Sequence, residues 1–230
     1  MYDVKPMPPQ VAPDLLALLA ECRTESIGHH RHWGFVHGSI KPVINRRVVG
    51  TAVTLALPGH DSGLLSYALS HVRPGDFLCV DRLGDNHNSC WGGGTTLAAK
   101  VAGLAGIVID GPSTGSSRFE EFDLPAWIRG YTPITCQLYG NGGAMNVPVC
   151  VGGAAILPGY AILADESGVV ALPPEDVRYL ASMAIERQNG YAAGHAKLRA
   201  GVKQAEMTGM DAKIAAGIAR ENERRATFER

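Results

Sequence analysis

Phe77-Leu78-Cys79-Val80-Asp81, Trp91-Gly92-Gly93-Gly94-Thr95-Thr96 and Ile107-Val108-Ile109-Asp110-Gly111, in that order, decide the fold. The first and third are short apolar runs ending on an acid, which is how strands covered on both faces read. The glycine turn between them opens the helical run Thr96-Leu97-Ala98-Ala99-Lys100-Val101-Ala102. Strand, glycine turn, helix and strand make a βαβ unit, so the two strands are expected to be parallel. Ligands in open α/β sheets sit beyond the carboxyl ends of such strands, where Asp81 and Asp110 are expected.

Working outward, Val48 to Leu55 reads as a β-branched strand stopped by Pro58-Gly59, and Ser62 to His71 as a helix with Leu64, Leu65, Ala68 and Leu69 on one face. Pro13 to Cys22 is a short amphipathic helix with Asp14 in its first turn. Downstream, Ala126-Trp127-Ile128, Val147 to Val151, Ala154 to Leu157, Tyr160 to Ala164 and Gly168 to Leu172 are short strands divided by Pro and Gly turns. Pro173-Pro174-Glu175-Asp176 starts a helix, with acids on its positive dipole end. The tail to Arg230 is expected to be helical, interrupted near Gly190, Gly194 and Gly209 and fraying over Glu221 to Arg230. The organisation expected is an α/β domain over residues 1–174 and a helical extension over 175–230, packed on that domain or on a neighbouring subunit.

A chain of 230 residues that is 46% hydrophobic can bury a substantial core. Its net charge of −1 and 19% charged residues give no basic field, so no nucleic-acid partner is expected. Cys22, Cys79, Cys90, Cys136 and Cys150 are scattered and odd in number, and are read as reduced core thiols, with Cys79 and Cys150 in apolar strand-like runs. The start, Met1-Tyr2-Asp3-Val4-Lys5-Pro6, has no signal-peptide pattern, and no apolar run approaches the roughly 18 residues of a spanning helix. A cytoplasmic protein without a membrane partner is expected.

The strongest site signal is Gly92-Gly93-Gly94 at a helix N-terminus. Amides without side chains can approach a carboxylate or phosphate there, favoured by the helix dipole, with Thr95 and Thr96 as added donors. The same glycines also suit a tight strand-to-helix turn. The motif is neither a P-loop nor a dinucleotide fingerprint, because no Gly-Lys-Ser/Thr follows and the glycine spacing differs. Asp81 and Asp110 can orient a base or a metal-bound water, or can cap backbone amides. Asp85, His87 and Cys90 precede the turn and offer a proton relay or a plain polar loop. His29, His30, His32 and His37 cluster without a recognisable ligand spacing.

Pro74 to Asp81, Trp91-Gly92-Gly93, Ala98-Ala99-Lys100, Gly103 to Gly111, Leu124-Pro125, Arg129-Gly130, Asn146-Val147-Pro148-Val149, Pro158-Gly159 and Ala164-Asp165 fall in the order and spacing of the RraA-like proteins. The chain resembles that family from about Val43 to Pro174. The family includes class II pyruvate aldolases acting on 4-hydroxy-4-methyl-2-oxoglutarate. The resemblance implies an α-β-β-α sandwich with a C-terminal helical tail, assembled as a trimer or hexamer with sites between subunits. It also implies that Gly92, Gly93, Gly94 and Thr95 grip an oxo-acid head, and that a divalent metal such as magnesium takes part.

Read without gaps from Asp110 to Pro125, Thr114 stands where the family's aldolases carry a substrate-binding arginine, and Gly115 stands at their metal-binding aspartate. Gly93 replaces the acid usual in the turn. Arg118 lies one helical turn beyond Thr114, if that segment is helical, and can either return a positive charge to the pocket or pair with Glu121 at the surface. The functional expectation is a lyase-type enzyme for a small anionic or carbonyl substrate. Asp81, His87, Asp110 and Arg118 are its candidate catalytic groups, and Gly92, Gly93, Gly94, Thr95 and Thr114 its binding residues. The alternative is a ligand-binding or regulatory protein of the RraA type.

Overall fold

A computed structural model describes residues 1–228. In chain order its strands are β1 (Tyr2–Val4), β2 (Lys41–Pro42), β3 (Val48–Ala56), β4 (Asp76–Asp81), β5 (Gly106–Ser113), β6 (Ala126–Tyr131), β7 (Gly143–Met145), β8 (Val149–Val151), β9 (Ala154–Ile156), β10 (Ala161–Asp165) and β11 (Gly168–Leu172). Its helices are α1 (Pro13–Ala20), α2 (Thr24–Gly28), α3 (Gly63–Leu69), α4 (Gly93–Val101), α5 (Ser117–Glu121), α6 (Pro174–Arg199), α7 (Gln204–Thr208) and α8 (Met210–Phe228).

The βαβ unit holds: β4 and β5 pair in parallel, with Leu78 opposite Ile107 and Val80 opposite Ile109. β3 and β6 extend the parallel arrangement on either side. β10 pairs antiparallel with β3 and with β11, turning the sheet into a second layer.

The period-2 alternation of the strands sorts their side chains into separate cores. Val53, Leu55, Leu78, Val80, Ile107 and Ile109 face Leu64, Leu65, Ala68, Ala99 and Phe119 of α3, α4 and α5. Ala52, Phe77, Cys79, Val108 and Trp127 point the other way, onto the β8–β9 hairpin and one face of β10 and β11. The opposite face of β10 and β11, with Leu163, Val170 and Leu172, is covered by Leu19, Ile27, Val177, Leu180 and Ala181 of α1, α2 and α6. The result is an α-β-β-α sandwich.

Several expectations are corrected. Asp110 does not end a strand: β5 runs on to Ser113, and its register against β6 shifts between Ile109 and Pro112. Cys150 is exposed, because it occupies the outward position of β8 between inward Val149 and Val151. Helix α6 passes through Gly190 and Gly194 without a break, since glycine only lowers helix propensity. Gly209, at φ +71°, does end a helix in the left-handed conformation.

The chain divides into compact units Met1–Ile185 and Glu186–Arg230. The first unit reaches beyond residue 174 because Val177, Leu180, Ala181 and Ala184 of α6 are buried. In the second unit, α7 and α8 have no buried residue, and the charged 221–228 stretch remains helical. Among the described residues no helix is long and apolar enough to cross a membrane.

Candidate functional site

The glycine turn is built by the loop that leaves β4. Gly92 is the extended N-cap of α4, and no side chain caps the helix. The first amide to bond back along this turn is that of Thr96, to the Gly92 carbonyl at 2.9 Å. By helix geometry this leaves the amides of Gly93, Gly94 and Thr95 as orphan donors at the positive end of the dipole. Thr96 is buried and joins the scaffold: its hydroxyl donates to the Gly92 carbonyl and accepts from Trp91 Nε1 at 3.0 Å.

The opposite wall comes from the end of β5 and the start of α5. The Thr114 hydroxyl stands 3.4 Å from the position a β-carbon on Gly92 would occupy. The Arg118 stem lies over Gly93, its Cγ 3.0 Å from the corresponding position there, while its guanidinium pairs with Glu121. Of the two sequence alternatives for Arg118, the surface pair with Glu121 is the one formed; only the uncharged stem walls the turn.

Trp91 ties the wall to the turn. Its carbonyl receives the Ser89 hydroxyl at 2.7 Å, the Ser113 hydroxyl at 3.2 Å, the Thr114 amide at 3.2 Å and the Thr114 hydroxyl at 3.3 Å. A carbonyl has two lone pairs, so four donors are more than it can hold well. The Thr114 hydroxyl is the most distant and the freest to turn elsewhere.

The candidate acids serve the backbone. Asp81 accepts the Leu83 amide at 2.7 Å and the Cys150 amide at 3.1 Å, joining β4 to the hairpin layer. Asp110 accepts the Gly152 amide at 2.6 Å and pairs with Arg129, which also donates to Ser39 at 2.8 Å. These partners match the capping alternative and hold the two β layers together. The His87 side chain is exposed; only its amide is engaged, by Asp85 at 2.9 Å. His29, His30, His32 and His37 are all exposed, and His37 Nδ1 bonds Ser39.

Sequence reading missed Arg82. It is fully buried behind the loop, donating from Nη2 to the Gly59 carbonyl at 2.5 Å, to Asp85 at 2.8 Å and to Cys136 Sγ at 3.3 Å. Its Nε and Nη1 have no partner among the described residues. A charged residue after a strand end reads as solvated, and only the packing of Gly111 against its stem shows otherwise.

At the position where the resemblance implies a metal-binding aspartate, Gly115 offers no side chain to a cation. Among the described residues no group of three or more His, Cys, Asp or Glu side chains is placed to hold a metal.

Beside the turn, a cleft of about 310 Å³ opens between α3 and α4 and shares Gly94 and Thr95 with it. Cys90 lines this cleft, and burial pushes its thiol up to about 12, so it is neutral.

Comparison with known proteins agrees with this architecture. The family profile described as RraA-like, Aldolase/RraA, matches residues 24–171. The chain is 33% identical over 136 residues to a putative 4-hydroxy-4-methyl-2-oxoglutarate aldolase of Halalkalibacterium halodurans, a match covering 59% of this chain and 64% of that protein, just under two thirds of its length. It is 32% identical over 120 residues to the 4-hydroxy-4-methyl-2-oxoglutarate aldolase of Thermus thermophilus, covering 51% of this chain and 73% of that one. Among solved structures, an unusual member of the RNase ES inhibitor RraA family from Streptomyces coelicolor superposes with a TM-score of 0.72 at 26% identity, covering 83% of this chain and 98% of that one.

Proposed function

The chain belongs to the RraA-like family, and from that premise we propose that it is a lyase-type enzyme holding the head of a small oxygenated carboxylate on the 92–95 turn. The observation that carries this reading is the opposition of three orphan amides, at Gly93, Gly94 and Thr95, to the Thr114 hydroxyl and the Arg118 stem. When the C3–C4 bond of a 4-hydroxy-2-oxo acid breaks, the C4 hydroxyl gives its proton to water and becomes a carbonyl, while the bonding pair moves into the C2 carbonyl and leaves an enolate oxygen whose C3 is then reprotonated. Fixed donors aimed at such an oxygen lower the barrier, each worth about 10²–10³ in rate in well-studied oxyanion holes. Amides and a hydroxyl supply these donors here, at the positive end of the α4 dipole. Gly94 and Thr114 are exposed, so water can return the proton.

The commitment of Asp81 and Asp110 to backbone amides supports a second reading, a ligand-binding or regulatory protein with no proton-handling carboxylate at the turn. Proton exchange of the pyruvate methyl group in heavy water, followed by NMR with EDTA present, separates the two. Exchange faster than in protein-free buffer supports the lyase; pyruvate binding without exchange supports the binding protein. If pyruvate does not bind, the turn is not an oxo-acid cradle.

Self-association and a cytoplasmic location belong to the same proposal. Exposed Tyr2, Val4, Tyr67, Leu138 and Tyr139 surround a second cleft of about 410 Å³, a patch suited to a further copy of this chain. Light scattering showing a trimer or hexamer supports that assembly, and a monomer at micromolar concentration rejects it. The five free cysteines fit a reducing compartment.

A further inference from the structure

Resting on that oxo-acid reading, we propose that the ligand is a monocarboxylate whose tail, beyond the gripped head, is neutral and hydroxyl-bearing. The tail's place is the cleft between α3 and α4, which continues from the turn through Gly94 and Thr95.

Ser62, Ser66 and Ser70 recur every fourth residue and so line one side of α3, facing Thr95 of α4. Leu65, Leu69, Ala98 and Leu138 supply the apolar surface between them. The Ser62 hydroxyl makes only a long bond, 3.3 Å to the Gln137 carbonyl, and Ser70 only a 3.4 Å bond to the Ser66 carbonyl. The hydroxyls of Ser66 and Thr95 have no partner among the described residues. Ser66 and Ser70 are exposed and Ser62 and Thr95 partly so, leaving four hydroxyls over an apolar floor open to a short chain carrying one or two hydroxyl groups.

The cleft's lining contains no lysine, arginine or histidine among the described residues, and its one ionisable group, the Cys90 thiol, is neutral. A second carboxylate would have to leave water for a cleft with no cation to pair with it, and an unpaired charge is costly to desolvate. The relatives named for 4-hydroxy-4-methyl-2-oxoglutarate are named for a molecule with a carboxylate at each end. In this chain the positive end of the α4 dipole serves one end of the ligand only, and the cleft offers the other end no charge.

The test is calorimetric titration of the full chain with pyruvate, 2-oxopentanoate, 4-hydroxy-2-oxopentanoate and 2-oxoglutarate. The expected result is 2-oxopentanoate bound about tenfold more tightly than 2-oxoglutarate, the same chain length with a second charge, and the 4-hydroxy acid bound more tightly still. Ser66→Ala should erase the advantage of the 4-hydroxyl group, and Ser66→Arg should reverse the preference toward 2-oxoglutarate. Equal or tighter binding of 2-oxoglutarate by the native chain overturns this inference alone. Failure of every probe, pyruvate included, overturns the head-group reading and this one with it.

Discussion

Gly93 and Arg118 are packed as a pair: a β-carbon on Gly93 would stand 3.0 Å from Arg118 Cγ and 3.4 Å from its Cδ. The space that a side chain at position 93 would fill is occupied by an arginine stem. Gly93→Ala should therefore displace Arg118 and weaken pyruvate binding about three- to tenfold. Arg118→Ala should do the same, and the double variant should lose little more than either single one. Additive losses in that cycle, read by calorimetry, would show that the two residues act separately.

Glu121 holds the Arg118 guanidinium at the surface, where both side chains are about half exposed. An exposed ion pair is weak, so removing the carboxylate costs the fold little while freeing the arginine. Glu121→Gln is expected to tighten pyruvate binding about two- to threefold at low salt, with the gain fading as ionic strength rises. An unchanged affinity at low salt would mean that Arg118 does not face the ligand.

The central sheet and the glycine turn were legible because their signals are local: apolar runs closed by turns, then glycines opening a helix. Asp81 and Asp110 were placed near the right edge, but their partners, the amides of Cys150 and Gly152, lie on strands and turns many residues away. No periodicity announces such a bond. The buried state of Arg82 was hidden for the same reason, since its enclosure depends on Gly59, Cys136 and Gly111 arriving from three other segments. The run through Gly190 and Gly194 misled because glycine marks a helix end only when its backbone turns left-handed, as Gly209 does.

Gly111 packs against Arg82, the one fully buried arginine among the described residues. A β-carbon there would meet Arg82 Cγ at 2.7 Å and the Asp85 carbonyl at 3.2 Å, and neither is the free end of a flexible chain. Gly111→Ala should destabilise the protein by about 1–3 kcal/mol through overpacking. A drop of about 3–10 °C in Tm is expected by calorimetry. A Tm within about 1 °C of the native protein's would mean that Arg82 can move aside, against its burial.

Acid should unlock the same loop. Burial raises the pKa of Asp85, but hydrogen bonds from the Asn88 side chain and from the amides of His87 and Asn88, together with Arg82, outweigh it and hold the carboxyl below its usual 3.8. Asp61 is held low in the same sense, with burial outweighed by the amides of Asn141, Gly63, Gly140 and Tyr139. A depressed carboxyl contributes stability above its unfolded pKa and loses it as pH falls through the folded one. Stability should thus be level down to about pH 4 and fall below it. Asp85→Asn should lower Tm at neutral pH and show a shallower loss in acid; an identical acid slope in that variant would exclude Asp85 as a source.

Thr114 carries the last prediction, because its hydroxyl is the least firmly held of the donors on the Trp91 carbonyl. The Trp91 carbonyl already takes the Ser89 hydroxyl at 2.7 Å, leaving Thr114 Oγ1 at 3.3 Å as the weakest of four donors. Turning toward a ligand oxygen costs it little, so a bound carbonyl gains most of a neutral hydrogen bond, about 1 kcal/mol. Thr114→Val keeps the shape and removes only that donor. It should weaken pyruvate binding about fivefold while leaving Tm within about 2 °C, since the Thr114 amide still holds the segment to Trp91. Because Gly115 offers no side chain to a cation, pyruvate affinity should also be the same in EDTA and in millimolar magnesium. Pyruvate binding that requires magnesium, in either the native chain or Thr114→Val, would instead place the head group on a metal and remove Thr114 from the role of its direct donor.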